Sequence, residues 1–172
     1  MFLWLKNEFQ LSARAGNALV FAPEKALAPL WQSARNLKVH KIDIVPARGV
    51  NVLADIMSLP FPNDSVDLIW CHHVLDQVAD DRVALVELRR VLRTRDSVVL
   101  VSVGMSELGV TQEFGFADKA LTGNWRTYGS DFIARLQDAG LEARPVTHNL
   151  SNSQCKHFGI HPEVFFYCTR KV

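Results

Sequence analysis

Two runs, "VDLIWC" at 66–71 and "SVVLVSV" at 97–103, are almost without polar residues, and between them lies "DDRVALVELRRVLR", where Leu85, Leu88 and Leu92 recur at helical spacing. A strand that is apolar on successive residues needs cover on both faces, a condition met by parallel strands with helices on either side. Strand, amphipathic helix and strand in that order form a crossover unit. Three shorter apolar runs precede it, "ALVF" (18–21), "KVHKIDI" (38–44) and "VNVLA" (50–54). The pattern predicts an α/β fold with a doubly wound, mostly parallel sheet. Further on, "SDFIARLQDAG" predicts a helix capped by Ser130 and ended by Gly140, and "LEARPV" and "EVFFYCTR" a closing pair of strands. The stretch from Met105 to Tyr128, rich in glycine and polar residues, reads as a loose connection.

A length of 172 residues with 48% hydrophobic content suits one domain over 1–172, with 1–16 as an N-terminal extension and 17–172 as the core. Nineteen basic and 18 acidic residues give a net charge of +1, so no global field gathers nucleic acid, and no nucleic-acid partner is expected. Cys71, Cys155 and Cys168 are odd in number and far apart, which argues for a reducing compartment, the cytoplasm. The opening "MFLWLKNEF" is too short for a signal-peptide core and no later segment approaches the ~20 apolar residues of a membrane span, so a soluble protein without membrane association is expected. The apolar "MFLWL" either joins the edge of the sheet or forms an interface, with a protein partner or a second copy of the chain.

Ligands of open parallel sheets sit beyond the carboxyl ends of the strands, where strand order reverses. Here those ends are "FAPE", "DIV", "ADIM" and "CHHV". Asp43 follows Glu24 by 19 residues (43 minus 24), close to the ~20-residue offset at which an acid takes the two hydroxyls of a ribose. A carboxylate offers only acceptors to a diol that offers two donors, although an acid at a strand end equally often caps a turn. No glycine stands between Gly16 and Gly49, which disfavours a dinucleotide fingerprint. Cys155, His157 and His161 in "CKHFGIH" are zinc-ligand types at a spacing that matches no zinc pattern, so no metal is expected. Arg89, Arg90, Arg93 and Arg95 suit a solvated helix end better than a phosphate site.

The segment from Val50 to Val103 resembles the middle of class I S-adenosylmethionine-dependent methyltransferases. Asp55, "LPFPNDSVD" (59–67), "HVLDQ" (73–77) and "ELRRVL" (87–92) match that pattern in order and spacing. A narrower resemblance is carried by "ALVFAPE", similar to a "VLHFAPE" first motif in one type 11-like branch, and by "WRTYGSDFIARLQDAGLEARPV" and "CKHFGIHPEVFFYCTR" near the end. The resemblance implies a seven-stranded sheet with a degenerate first motif, S-adenosylmethionine as cofactor, and in-line methyl transfer to an unidentified acceptor. It also implies site residues: Phe21, Ala22 and Glu24 beside the methionine part, Asp43 with Ile44 at the ribose, and Asp55, Ile56 and Met57 at the adenine. Cys71 and His72 would face the sulfonium, with His73 and then Tyr128 as candidates to take a proton from the acceptor. His73 alternatively serves only to satisfy backbone at a strand end, and Trp125 and Tyr128 either close over a substrate or pack their loop onto the sheet. The chain departs from the pattern at Val20, where a polar residue is usual. That departure and the glycine-free loop motivate an alternative, a catalytically inactive methyltransferase-like domain acting as a binding or regulatory subunit.

Overall fold

The computed structural model describes residues 2–106, 109–121, 123–146, 153 and 164–171. Its strands are β1 (Gly16–Phe21), β2 (Leu37–Asp43), β3 (Val52–Leu53), β4 (Leu68–His72), β5 (Val98–Ser102), β6 (Gln112–Asp118), β7 (Asn124–Thr127), β8 (Leu141–Val146) and β9 (Phe165–Arg170). The helices are α1 (Phe2–Asn7), α2 (Ala28–Ser33), α3 (Asp81–Val91) and α4 (Phe132–Asp138). Seven strands form one sheet in the order β3-β2-β1-β4-β5-β9-β8. The first five run parallel, and β9 is antiparallel to β5 and β8.

Alternation along the buried strands explains both covering layers. Leu68, Trp70, Val98 and Leu100 face one side, where α1 and α2 supply Trp4, Leu5, Leu30 and Trp31. Ile69, Cys71, Val99 and Val101 face the other, where α3 supplies Ala84, Leu85, Leu88 and Val91 and α4 supplies Phe132 and Leu136. Full burial of Leu85 and Leu88 contributes about 1.5–3 kcal/mol each relative to exposure. Asp80 starts α3 by accepting the N–H groups of Arg82 and Val83, and Arg89 and Arg90 close it against the helix dipole. The opening "MFLWL" does not join the edge of the sheet: it is helical, with Trp4 packed edge-on against Phe165 at a centroid distance of 4.7 Å.

Three local expectations are corrected. The third strand is two residues long, and on either side of it the N–H groups of Asn51 and Ala54 donate to the carbonyls of Lys41 and Asp43. Helix α4 starts at Phe132 with Asp131 at its N-cap; Ser130 instead donates its hydroxyl to the Gly109 carbonyl. Gly140 does end that helix, at φ +80°. The loose stretch is a hairpin of β6 and β7, paired outside the main sheet. Between β2 and β3 the connection is irregular, and Ile44 and Val45 in it are exposed, as is Leu53 in β3.

Candidate active site

Beyond the carboxyl ends of β1, β2 and β4, at the point where strand order reverses, a cleft of about 210 Å³ opens. Three turns build it. Phe21 and Ala22 leave β1, Asp43 and Ile44 leave β2, and Asp55, Ile56 and Met57 follow β3, with Val74, Gln77 and Val78 forming the far wall. The Ala54 N–H donates to the Asp43 carbonyl at 3.1 Å, which draws the two acidic turns together. Each carboxylate also shapes its own turn: Asp43 Oδ1 accepts from the Val45 N–H at 3.2 Å and Asp55 Oδ1 from the Met57 N–H at 2.8 Å. Their directions are thereby fixed by the backbone they cap.

Ala22 sits at φ +43°, in the left-handed region, while its N–H donates to the Ile42 carbonyl at 2.9 Å. The corner thus keeps a glycine-like conformation without a glycine, at a cost of about 1–2 kcal/mol. At the adjoining corner Glu24 is held from two sides. Trp70 donates its indole N–H to Oε2 at 3.0 Å, and Nε2 of His72 lies 3.2 Å from Oε1, while Nδ1 of His72 meets the Ser102 hydroxyl.

The remaining expected residues separate by depth. His73 also has positive φ, its side chain is about half exposed, and its Nδ1 lies 3.4 Å from Asp76 Oδ2; the next residue, Val74, lines the cleft. Cys71 is fully buried in the core beneath, where burial first and the Asp76 charge second push its thiol well above the ordinary range. Tyr128 is fully buried too, its hydroxyl 2.9 Å from Asp81 Oδ2 and 3.2 Å from the Leu75 carbonyl. Burial, reinforced by Asp81, raises its phenol and keeps it neutral. Of its two expected roles, Tyr128 takes the packing one. Seven of the expected residues therefore share the cleft (Phe21, Ala22, Asp43, Ile44, Asp55, Ile56 and Met57), while Glu24, Cys71, His72, His73 and Tyr128 do not line it.

Two arginines that sequence reasoning did not place at the site hold its walls. Arg126, 3% exposed, donates to the carbonyls of Leu75 (3.0 Å), Val78 (2.6 Å) and Ala79 (2.8 Å) and pairs with Glu113 at 2.9 Å. The hairpin is thereby fastened to the far wall of the cleft. Arg90 pairs with Glu87 through two hydrogen bonds of 2.6 and 2.8 Å, and reaches the carbonyls of Leu59 and Phe61 and the side chain of Asn63. Because Glu87 also accepts the Leu59 N–H, the loop after Met57 is bound to α3. The signal was present: an acid and an arginine at i, i+3 pair on a helix, and "LPFP" supplies carbonyls that no ladder uses. Cys155, His157 and His161 lie outside the described residues. Among the described residues no group of three metal-ligating side chains occurs, and no helix is long and apolar enough to cross a membrane.

The model of a family described as "Methyltransferase domain" matches residues 22–100. Among curated proteins, a malonyl-[acyl-carrier protein] O-methyltransferase of Halorhodospira halophila is 31% identical over 133 residues, covering 63% of this chain and 45% of that protein. The chain thus spans about half the length of that relative. Among solved structures, an S-adenosylmethionine-dependent methyltransferase from Mesorhizobium loti superposes with a TM-score of 0.67 at 14% identity, over 99% of this chain and 98% of the other. A chain solved in complex with the Haloferax volcanii Trm112 methyltransferase activator gives 0.67 at 14% identity, covering 98% and 90%. At that identity the superpositions speak for the fold, and the strand order agrees with them. The matched segment and the curated relative make the chain similar to methyltransferases, and the superpositions show that it shares the fold of class I S-adenosylmethionine-dependent methyltransferases.

Proposed function

We propose that this chain binds S-adenosylmethionine in the cleft between β1, β2 and β4 and transfers a methyl group from it to an acceptor. The carrying observation is that Asp43 and Asp55, on separate turns, line one small cleft whose other walls are apolar except for Gln77, with Phe21, Ile44, Ile56, Met57 and Val78 among them. That donor set fits a nucleoside: Asp43 accepts from the ribose diol, Asp55 from the exocyclic amine, and the apolar side chains enclose the base. A volume of about 210 Å³ suits the adenosyl half, with the amino-acid half lying toward Ala22 and Glu24. Glu24, steadied by Trp70 and His72, takes over the polar duty that Val20 cannot perform.

The cofactor brings a methyl group already activated by the sulfonium, so the protein's share of catalysis is positional. Ala22 turns the backbone out of the way, the two carboxylates fix the nucleoside, and Arg126 and Arg90 keep the walls in place. His73, half exposed beside the cleft, accepts the acceptor's proton; Tyr128 supports Asp81 and the hairpin from within the core. The reading takes residues 1–172 as one cytoplasmic methyltransferase-like domain. The acceptor is unidentified; the malonyl carrier named for the curated relative and the activator bound to the structural neighbour are properties of those proteins, and a protein partner is compatible with this fold.

Isothermal titration of the folded protein with S-adenosylmethionine and with S-adenosylhomocysteine tests the reading. Micromolar binding is expected, and Asp43→Ala and Asp55→Ala should each weaken it by about 1–3 kcal/mol. Absence of binding up to millimolar ligand would overturn it in favour of a binding module that has kept the fold alone.

A further inference from the structure

The corner after β1 spends its polar groups on the fold itself. Val20, near the end of the strand, is fully buried against the layer of α1 and α2. The Ala22 N–H is taken by the Ile42 carbonyl at 2.9 Å, and Pro23 has no N–H to offer. Glu24 is engaged on both oxygens, Oε2 accepting the Trp70 indole N–H at 3.0 Å and Oε1 lying 3.2 Å from Nε2 of His72. An anionic carboxylate on a ligand needs donors, and Val20, Ala22 and Pro23 hold none in reserve for it.

Across the cleft the balance is reversed. Asp43 and Asp55 each commit Oδ1 to a backbone N–H of their own turn, at 3.2 and 2.8 Å, and among the described residues Oδ2 of each makes no hydrogen bond. Among the same residues neither carboxylate has an ion-pair partner, and no lysine or arginine lines the cleft. Two unneutralised carboxylates in one small cleft attract hydrogen-bond donors and repel an anionic group. An adenine nucleoside offers them ribose hydroxyls and an exocyclic amine, carried with a flat ring that suits Phe21, Ile56 and Met57. The amino-acid chain of S-adenosylmethionine brings a carboxylate instead. We propose that the cleft is a site for adenine nucleosides in their own right: it takes adenosine and 5′-thio-substituted adenosines that have no amino-acid chain, and these compete with S-adenosylmethionine. The affinity for the cofactor lies in its nucleoside half, so removing the amino-acid chain costs little. The inference rests on the nucleoside reading of the cleft above and adds a second class of ligand, one that restrains methyl transfer by occupying the same walls.

The test is isothermal titration of the whole folded protein with S-adenosylhomocysteine, 5′-methylthioadenosine, adenosine and inosine, each alone and then in the presence of S-adenosylmethionine. Adenosine and 5′-methylthioadenosine should bind within about tenfold of S-adenosylhomocysteine, and S-adenosylmethionine should exclude them. Inosine, in which a carbonyl stands in place of the exocyclic amine, should bind at least about tenfold more weakly than adenosine, because it turns an acceptor toward Asp55. Micromolar binding of S-adenosylhomocysteine with neither adenine nucleoside bound at millimolar concentration overturns the proposal. So does inosine that binds as tightly as adenosine, or a nucleoside that binds alongside S-adenosylmethionine. The same titrations keep the two readings apart. Adenosine bound by a protein that does not bind S-adenosylmethionine refutes methyl transfer and leaves the nucleoside site standing, whereas the cofactor bound without the nucleosides refutes this inference alone; a protein that binds none of them refutes both.

Discussion

Ala22 occupies a backbone conformation that a glycine adopts freely and an alanine adopts under strain. Ala22→Gly should therefore stabilise the fold by about 0.5–1 kcal/mol after the glycine's extra chain entropy is subtracted. A higher urea midpoint at constant slope would confirm it; a lower one would mean that the corner is relaxed as it stands. At the same scale the two acids of the cleft were legible in the sequence, Asp43 from its offset of 19 residues after Glu24 and Asp55 from its place in the resembling segment. Arg126 was not legible. A basic residue in a polar stretch reads as surface, and what buries it is a set of carbonyls some 50 residues earlier, with a separation of 51 to Leu75. Cys71 and Tyr128 misled for the opposite reason: adjacency in sequence to the site says nothing of depth, and both side chains point into the core.

Among the elements, the hairpin of β6 and β7 matters more than its irregular sequence suggests. Its strand β6 is open to solvent along most of its length, so no alternation of apolar and polar residues announces it. What fastens it is electrostatic. Arg126→Met should leave three carbonyls without their donor and cost about 1–3 kcal/mol for each one that stays buried, with faster amide hydrogen exchange in 75–79 than elsewhere. Uniform protection across the fold would argue against the fastening. Helix α3, by contrast, was readable from its period and charge, and its Glu87–Arg90 pair gives the fold a defined acid limit. The Arg90 hydrogen bond to Glu87 holds that carboxyl below its ordinary 4.5, against a smaller opposing effect of burial. Asp131 is likewise held below 3.8, since burial raises it but the Thr111 hydroxyl and N–H and the Arg135 charge outweigh that. For carboxyls lowered in the folded state, the stability is fully present above the unfolded value and is lost as pH falls through the folded one. The urea midpoint should thus decline below about pH 4.5, and Glu87→Gln should flatten the decline; an equal slope in both proteins would remove Glu87 from the cause.

At the level of the whole molecule, the apolar strands and the crossover between β4 and β5 were enough to predict the sheet, because cover on both faces admits few alternatives. The order in which β8 and β9 join it was beyond such reasoning: hydropathy gives a strand's faces and leaves its neighbours undetermined. That order has a consequence for synthesis. Strand β9 lies between β5 and β8 and contacts α1 through Phe165, so a strand that follows all the other described ones in chain order is an interior one. Until residues 165–170 have left the ribosome, β5 presents an unpaired, largely apolar edge and Trp4 lacks its edge-on contact with Phe165. Nascent or truncated products that lack β9 are therefore the species that chaperones and proteases meet as sticky, and their lifetime is set by how fast that strand arrives.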